Sequence, residues 1–219
     1  MNIVLVGILL LINVAIATWN CYAVGVTWKD VQALGTKFDK VVIWSAIVQS
    51  AIGFSMPILL ALSYLGFAIA TGGSEPYMSP AEGAAMLEVI YSLWYVLVIL
   101  PILTTGFALW AHSIRVAFMR RDFGSIAAAG WNTFAQISNT VSAVNNLGGA
   151  LGNVGSLFSG VAKSDSNIKV KGGILIFLAV VVSIALGFWI AFALVRHFAN
   201  ATESRIERHG VDLKKRMAA

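Results

Sequence analysis

Long apolar runs separated by short clusters of charge organise the chain. Five stretches carry no Asp, Glu, Lys or Arg: residues 1–28, 41–74, 89–114, 123–162 and 172–195. A helix needs about 20 apolar residues to cross about 30 Å of hydrocarbon. Four of the five stretches meet that requirement. They predict membrane-spanning helices over residues 3–26, 41–70, 80–118 and 172–197. Residues 1–17 lack the basic start of a cleaved signal, and the apolar run continues to Val26, so the first helix is expected to be retained. Trp19, Tyr22 and Trp28 stand at its far end, where amphipathic rings favour the membrane interface.

Punctuation between the runs refines this picture. Pro57 falls inside the second helix and removes one backbone donor, so a kink is expected near residues 53–57. Residues 71–88 form the clearest loop, with Gly72, Gly73, Pro76 and Pro80, three glutamates and no Lys or Arg. Ser79 through Glu82 reads as a helix start, with Ser79 as N-cap and Glu82 completing a capping box. Pro101 lies in the third span, followed by Thr104 and Thr105, whose hydroxyls are expected to bond carbonyls freed near the proline. The tail, residues 196–219, reads as a helical extension near the headgroups.

The fourth uncharged stretch, residues 123–162, is different in kind. It is rich in Gly, Ala, Ser and Asn, and from Gly130 it repeats in sevens. One heptad position holds Asn132, Asn139, Asn146 and Asn153; another holds Ile137, Val144, Leu151 and Phe158. Gly148, Gly152 and Gly155 add small residues that let backbones approach. A strict seven-residue repeat keeps one helical face aligned. An interfacial amphipathic helix would normally carry Lys or Arg on its polar face, and this segment has none before Lys163. A disordered linker would not hold a hydrophobic period. The expectation is therefore a helix that packs against copies of itself or a partner, or lines a wet cavity with its Asn face.

Composition narrows the class further. The chain is 58% hydrophobic and 11% charged, with a mean hydropathy of +0.82. Soluble domains average about 25% charged, so this composition points to an integral membrane protein. The formal net charge is +5, and the basic residues flank the spans. Lipid headgroups and topology explain them, and no nucleic-acid partner is expected. The lone Cys21 reads as a packing residue.

Basic residues also bear on topology, because they favour the cytoplasmic side. With four crossings the tail, which holds six of them, falls on the outside. If residues 123–162 also cross, twelve basic residues gather on one side against three on the other. The four Asn residues oppose a lipid-exposed crossing. Both facts fit a crossing shielded within an oligomer.

Candidate chemistry is sparse. His112 and His197 lie near the ends of different spans and could serve as a haem pair only at one depth and facing inward; interaction with helix-end carbonyls is the simpler reading. The apolar spans hold no central carboxylate, Lys or Arg, which disfavours an ion-driven pump or motor. No nucleotide-binding loop, zinc signature or nucleophile elbow occurs, and no cofactor is expected.

The sequence thus describes an all-α integral membrane protein. It has four strongly apolar transmembrane helices plus a long, uncharged, heptad-patterned amphipathic helix. The regions divide at 1–122, 123–171 and 172–219. The expected role is a non-enzymatic subunit of a multi-protein membrane assembly of secretion, conjugation or virion-membrane type. Its expected partners are the bilayer, further copies of itself and other membrane subunits, in a bacterial inner membrane or an equivalent bilayer. The alternative is a stand-alone passive channel or small-solute transporter.

Overall fold

A computed structural model of the chain describes residues 3–71, 80–162, 167–203 and 207–209. Five helices account for nearly all of them: α1 (Ile3–Leu34), α2 (Lys37–Thr71), α3 (Pro80–Arg120), α4 (Phe123–Ala162) and α5 (Asn167–Ala201). Four are long and apolar enough to cross a membrane, over Gly7–Leu34, Lys37–Gly66, Ala84–Arg120 and Phe177–Ala201. Each of these four helices outruns the apolar stretch that predicts it, and α5 begins five residues before its expected start. Charged and glycine-containing flanks satisfy their backbone groups by continuing the helix. The Ser79 cap and the tail beyond residue 209 lie outside the described residues.

Two of the connections are two residues long. Between α1 and α2, the Gly35 N–H bonds the Val31 carbonyl at 2.9 Å. Thr36 then caps α2: its hydroxyl accepts from the Asp39 N–H at 3.2 Å, while the Asp39 carboxylate accepts from the Thr36 N–H at 3.0 Å. This reciprocal pair satisfies two otherwise orphaned donors. Between α3 and α4, Arg121 adopts a left-handed φ of 54°. Its N–H returns to the Ala117 carbonyl at 3.0 Å, and Asp122 accepts from the Ser125 N–H at 2.8 Å. The chain reverses there with both helix ends capped.

These turns sit at one end of the bundle. Arg115 of α3 reaches Asp39 at the start of α2 at 3.4 Å, and Lys29 of α1 reaches Glu207 beyond α5 at 3.5 Å. At the other end, Leu59, Ile90, Leu93, Val154 and Val180 join α2, α3, α4 and α5 in one apolar core. So α3 and α5 run in the same direction, and α4 returns between them over the full length of the bundle.

A second core, of α1, α2 and α5, occupies the basic end and includes Cys21, Ile47, Ala51, Ala191 and Val195. Small residues set its closeness. Ile43, Ile47, Ala51, Ser55 and Leu59 form a buried row at four-residue spacing on α2, and Ser183, Gly187, Ala191, Val195 and Ala199 form another on α5. A Cβ on Gly187 would collide with the Ala51 carbonyl oxygen and stand 3.0 Å from the Ser55 nitrogen. Likewise, a Cβ on Gly25 would collide with the Phe198 side chain of α5. Such spacing lets dispersion and backbone contact hold helices together where the surroundings are as apolar as the side chains.

Both prolines are accommodated within continuous helices. Pro57 cannot donate to the Gly53 carbonyl. The Asn13 amide of α1 donates to that carbonyl instead, at 3.3 Å. At Pro101 the arrangement differs from expectation. Thr105 donates to the Pro101 carbonyl at 2.6 Å and Thr104 to that of Leu100 at 2.9 Å, whereas the carbonyl freed by Pro101 belongs to Leu97.

Candidate functional site

A set of polar side chains meets between α3 and α4. The heptad pattern places Asn132, Asn139, Asn146 and Asn153 along one side of α4, with small residues beside them. That side turns toward α3, and Ala129, Ala143, Ala150 and Val154 are buried against it. Of the four asparagines, Asn132, Asn139 and Asn153 are half-buried and Asn146 is exposed. The apolar row points the other way: Ile137, Val144 and Leu151 are 60%, 79% and 50% exposed. The side chain of Phe158 lies outside the described residues. Part of the polar face is thus covered by α3 of the same chain, and Asn146 stays open.

Hydrogen bonds stitch this seam from end to end. Near the turn, the Trp110 indole donates to the Thr133 hydroxyl at 3.0 Å. At mid-length, Gln136 donates to the Leu103 carbonyl at 3.2 Å. Beside it, Gln49 of α2 donates to Thr105 Oγ1 and the Ile102 carbonyl, both at 2.9 Å. The absent side chain of Gly106 leaves room for both glutamine amides. Further along, the Tyr95 hydroxyl donates to the Ser142 carbonyl at 2.9 Å. At the far end, Asn153 donates to Glu88 Oε1 and to Ser92 Oγ, each at 3.1 Å.

Gln136 provides a measure of this seam. Interhelical hydrogen bonds in membranes average about 0.6 kcal/mol. The Gln136 Oε1 atom is buried without a hydrogen-bond partner among the described residues, a penalty that offsets part of the gain from its amide. Replacing Gln136 by Leu is therefore expected to change stability by less than about 0.5 kcal/mol, read from a detergent unfolding titration. A loss several times larger would show that the seam is cooperative.

The seam opens at the end away from the basic turns. There a cleft of about 550 Å³ is bordered by Glu88, Tyr91, Tyr95, Asn145, Asn146 and Asn153. Sequence reasoning marks Glu88 only as lying at a helix entrance. Its approach to Asn153, 65 residues away, depends on the α3–α4 reversal, which no local pattern encodes.

The remaining candidates lie apart from the seam. On α4, a Cβ added to Gly148, Gly152 or Gly155 would meet nothing within 4 Å. His112 packs beside the Phe38 ring, with centroids 6.4 Å apart. His197 is exposed in a groove on α5 beside Trp189 and Arg196. Among the described residues, no group of three His, Cys, Asp or Glu gathers to hold a metal. The chain matches no protein-family model, no curated protein and no solved structure.

Proposed function

We propose that the chain is a non-enzymatic membrane subunit of a larger assembly, with all five helices crossing the bilayer and the outer face of α4 meeting a neighbouring helix. The observation that carries this reading is the division of labour on α4. On the Asn side, Asn153 bonds Glu88 and Ser92 of α3, while the opposite face keeps Gly148 and Gly152 at small-xxx-small spacing with open space above them. That pattern, bordered by Phe134, Ile137 and Val141, all exposed, is the kind on which membrane helices associate. Fivefold crossing is supported by the shared direction of α3 and α5, and by the gathering of twelve basic residues on one side. An assembly of secretion, conjugation or virion-membrane type suits a subunit of this layout. The passive-channel alternative draws less support, because Asn153 bonds α3 and the half-buried Asn132 and Asn139 leave Asn146 as the one fully exposed member of the row.

Two cysteine experiments test the reading, both in a Cys21→Ser background and in native membranes. For topology, Gly73→Cys and Ala218→Cys are expected to react with an impermeant maleimide from opposite sides. Reaction from the same side means four crossings and defeats the proposal. For association, Val141→Cys and Gly148→Cys are expected to form intermolecular cross-links, to a second copy or to a partner, whereas Ala143→Cys on the buried face does not. If the outward cysteines stay monomeric under oxidation, lipid covers this face and the assembly role falls.

A further inference from the structure

The cleft at the open end of the seam combines three features that the hairpin itself does not require. The first is charge. Glu88 is the last formal charge on α3 before Arg115, and it stands at the cleft with one carboxylate oxygen accepting from Asn153 at 3.1 Å. Among the described residues, no Lys, Arg or His borders the cleft. The second is the supply of aromatic faces. Tyr91, Trp94 and Tyr95 border the same space. Trp94 is anchored from behind, its indole donating to Ser55 Oγ of α2 at 3.0 Å. The third is room. Gly149 of α4 borders the cleft, and a Cβ there would meet nothing within 4 Å. Asn145 is exposed beside it and bonds no other described residue.

These features select a ligand class by exclusion and by fit. An anion is repelled by Glu88. A multivalent metal ion wants several carboxylate, imidazole or thiolate donors, and among the described residues Glu88 is the only such group in the lining. An organic cation fits: aromatic faces attract an ammonium group through the ring quadrupole, a carboxylate balances its charge, and amide oxygens accept its N–H or polarised C–H groups. The volume suits a small polar ligand, since such pockets run from about 300 to 1,000 Å³. We infer that the α3–α4 cleft binds an alkylammonium group of choline or ethanolamine size, with Glu88 as its counter-ion. Glu88 directly precedes the uncharged run of α3, which on the membrane-spanning reading sets it near the headgroups, so a zwitterionic lipid headgroup and a free amine are both able to supply that group.

The test uses the full chain purified in an uncharged maltoside detergent. Radiolabelled choline is titrated by equilibrium dialysis, with 3,3-dimethylbutan-1-ol, the uncharged carbon isostere of choline, as competitor. Saturable choline binding is expected, with the isostere weaker by about tenfold or more. Glu88→Gln keeps an oxygen for Asn153 while removing the charge, and is expected to weaken choline about tenfold. Gly149→Leu fills the space and is expected to do the same. Melting temperatures of both variants show whether the bundle persists. In a parallel arm, nanodiscs holding equal phosphatidylethanolamine and phosphatidylglycerol are examined by native mass spectrometry. Selective retention of the ethanolamine lipid, lost in Glu88→Gln, identifies a headgroup as the source, and choline binding without retention identifies a free amine. Equal affinity for choline and its isostere overturns the inference, as does binding unaffected in a folded Glu88→Gln. Absence of both choline binding and lipid retention overturns it as well. The wild-type comparison of choline with its isostere stands even if neither variant folds.

Discussion

Replacing Gly187 by Leu is expected to destroy the bundle, leaving protein that elutes as aggregate and shows no cooperative melting transition. The reason is geometric. The missing side chain of Gly187 lets α5 lie directly on the backbone of α2, where even a methyl group would collide with the Ala51 carbonyl oxygen. Collision with a flexible side chain is relieved by a change of rotamer, but a carbonyl in mid-helix moves only with its helix. Overpacking a well-filled site costs about 1–3 kcal/mol. A whole isobutyl group against backbone belongs at or beyond the top of that range. The α2–α5 contact also joins both apolar cores, since Ala51 and Ala191 belong to one and Leu59 and Val180 to the other. Gly148→Leu supplies the comparison. It makes the same chemical change on the open face of α4 and is expected to keep the melting temperature within a few degrees. Equal damage from both substitutions would mean that Gly187 matters for helix propensity or insertion and that the close approach is unimportant.

The second large effect is conditional. Asn13→Leu is expected to cost about 1 kcal/mol in the native background, and close to nothing once Pro57 has been replaced by Ala. Pro57 has no N–H, so the Gly53 carbonyl one turn earlier has no intrahelical donor. Asn13 supplies that donor at 3.3 Å. With Ala at position 57 the helix closes its own bond, and the amide becomes redundant. The double-mutant cycle therefore carries a coupling energy of about 1 kcal/mol between residues that do not themselves hydrogen-bond. Detergent unfolding of the four proteins measures it. Equal losses in both backgrounds would show that Asn13 acts by packing alone. Gly53 sharpens the geometry, because a Cβ there would stand 3.1 Å from Ala17 and 3.3 Å from Asn13 Oδ1. The proline and glycine of α2 and the asparagine of α1 thus form one device.

Such devices mark where the sequence stops being informative. The helices are legible because each apolar run is far longer than a strand requires and is bounded by charge. The α4 boundaries, Phe123–Ala162, coincide with the uncharged heptad stretch. The Thr36–Asp39 box on α2 also follows local rules, although it is hidden in a linker dominated by lysines. What the repeat does not encode is direction. An Asn row packs equally well, by pattern, on α3 of the same chain, on another copy or around water. The choice of α3 depends on the polar groups waiting there, and Trp110, Tyr95 and Ser92 do not stand out within an apolar span. Gly25 and Gly187 are similar cases. Each is one glycine among twenty, and only the neighbouring backbone shows which ones cannot change. The Glu88 cleft needs two residues 65 apart to meet, so it belongs wholly to tertiary structure.

Only Arg121 and Asp122 separate α3 from α4, and on the five-crossing reading this brevity governs how the protein is made. At about 5–20 residues per second, the ribosome delivers all of α4 within seconds of completing α3. The polar helix is a poor candidate for entering lipid by itself, because its asparagines would reach hydrocarbon without partners. Beside a freshly inserted α3, Glu88 and Ser92 are already in place for Asn153, as is a covering surface for part of the row, and the basic Arg120 and Arg121 hold the connection on its own side. The pair then enters as one unit, with α4 a passenger whose admission depends on its predecessor. Damage to α3 would consequently be felt twice, once in its own span and again as an asparagine-lined helix left outside the bilayer, exposed to the proteases that clear unassembled membrane segments.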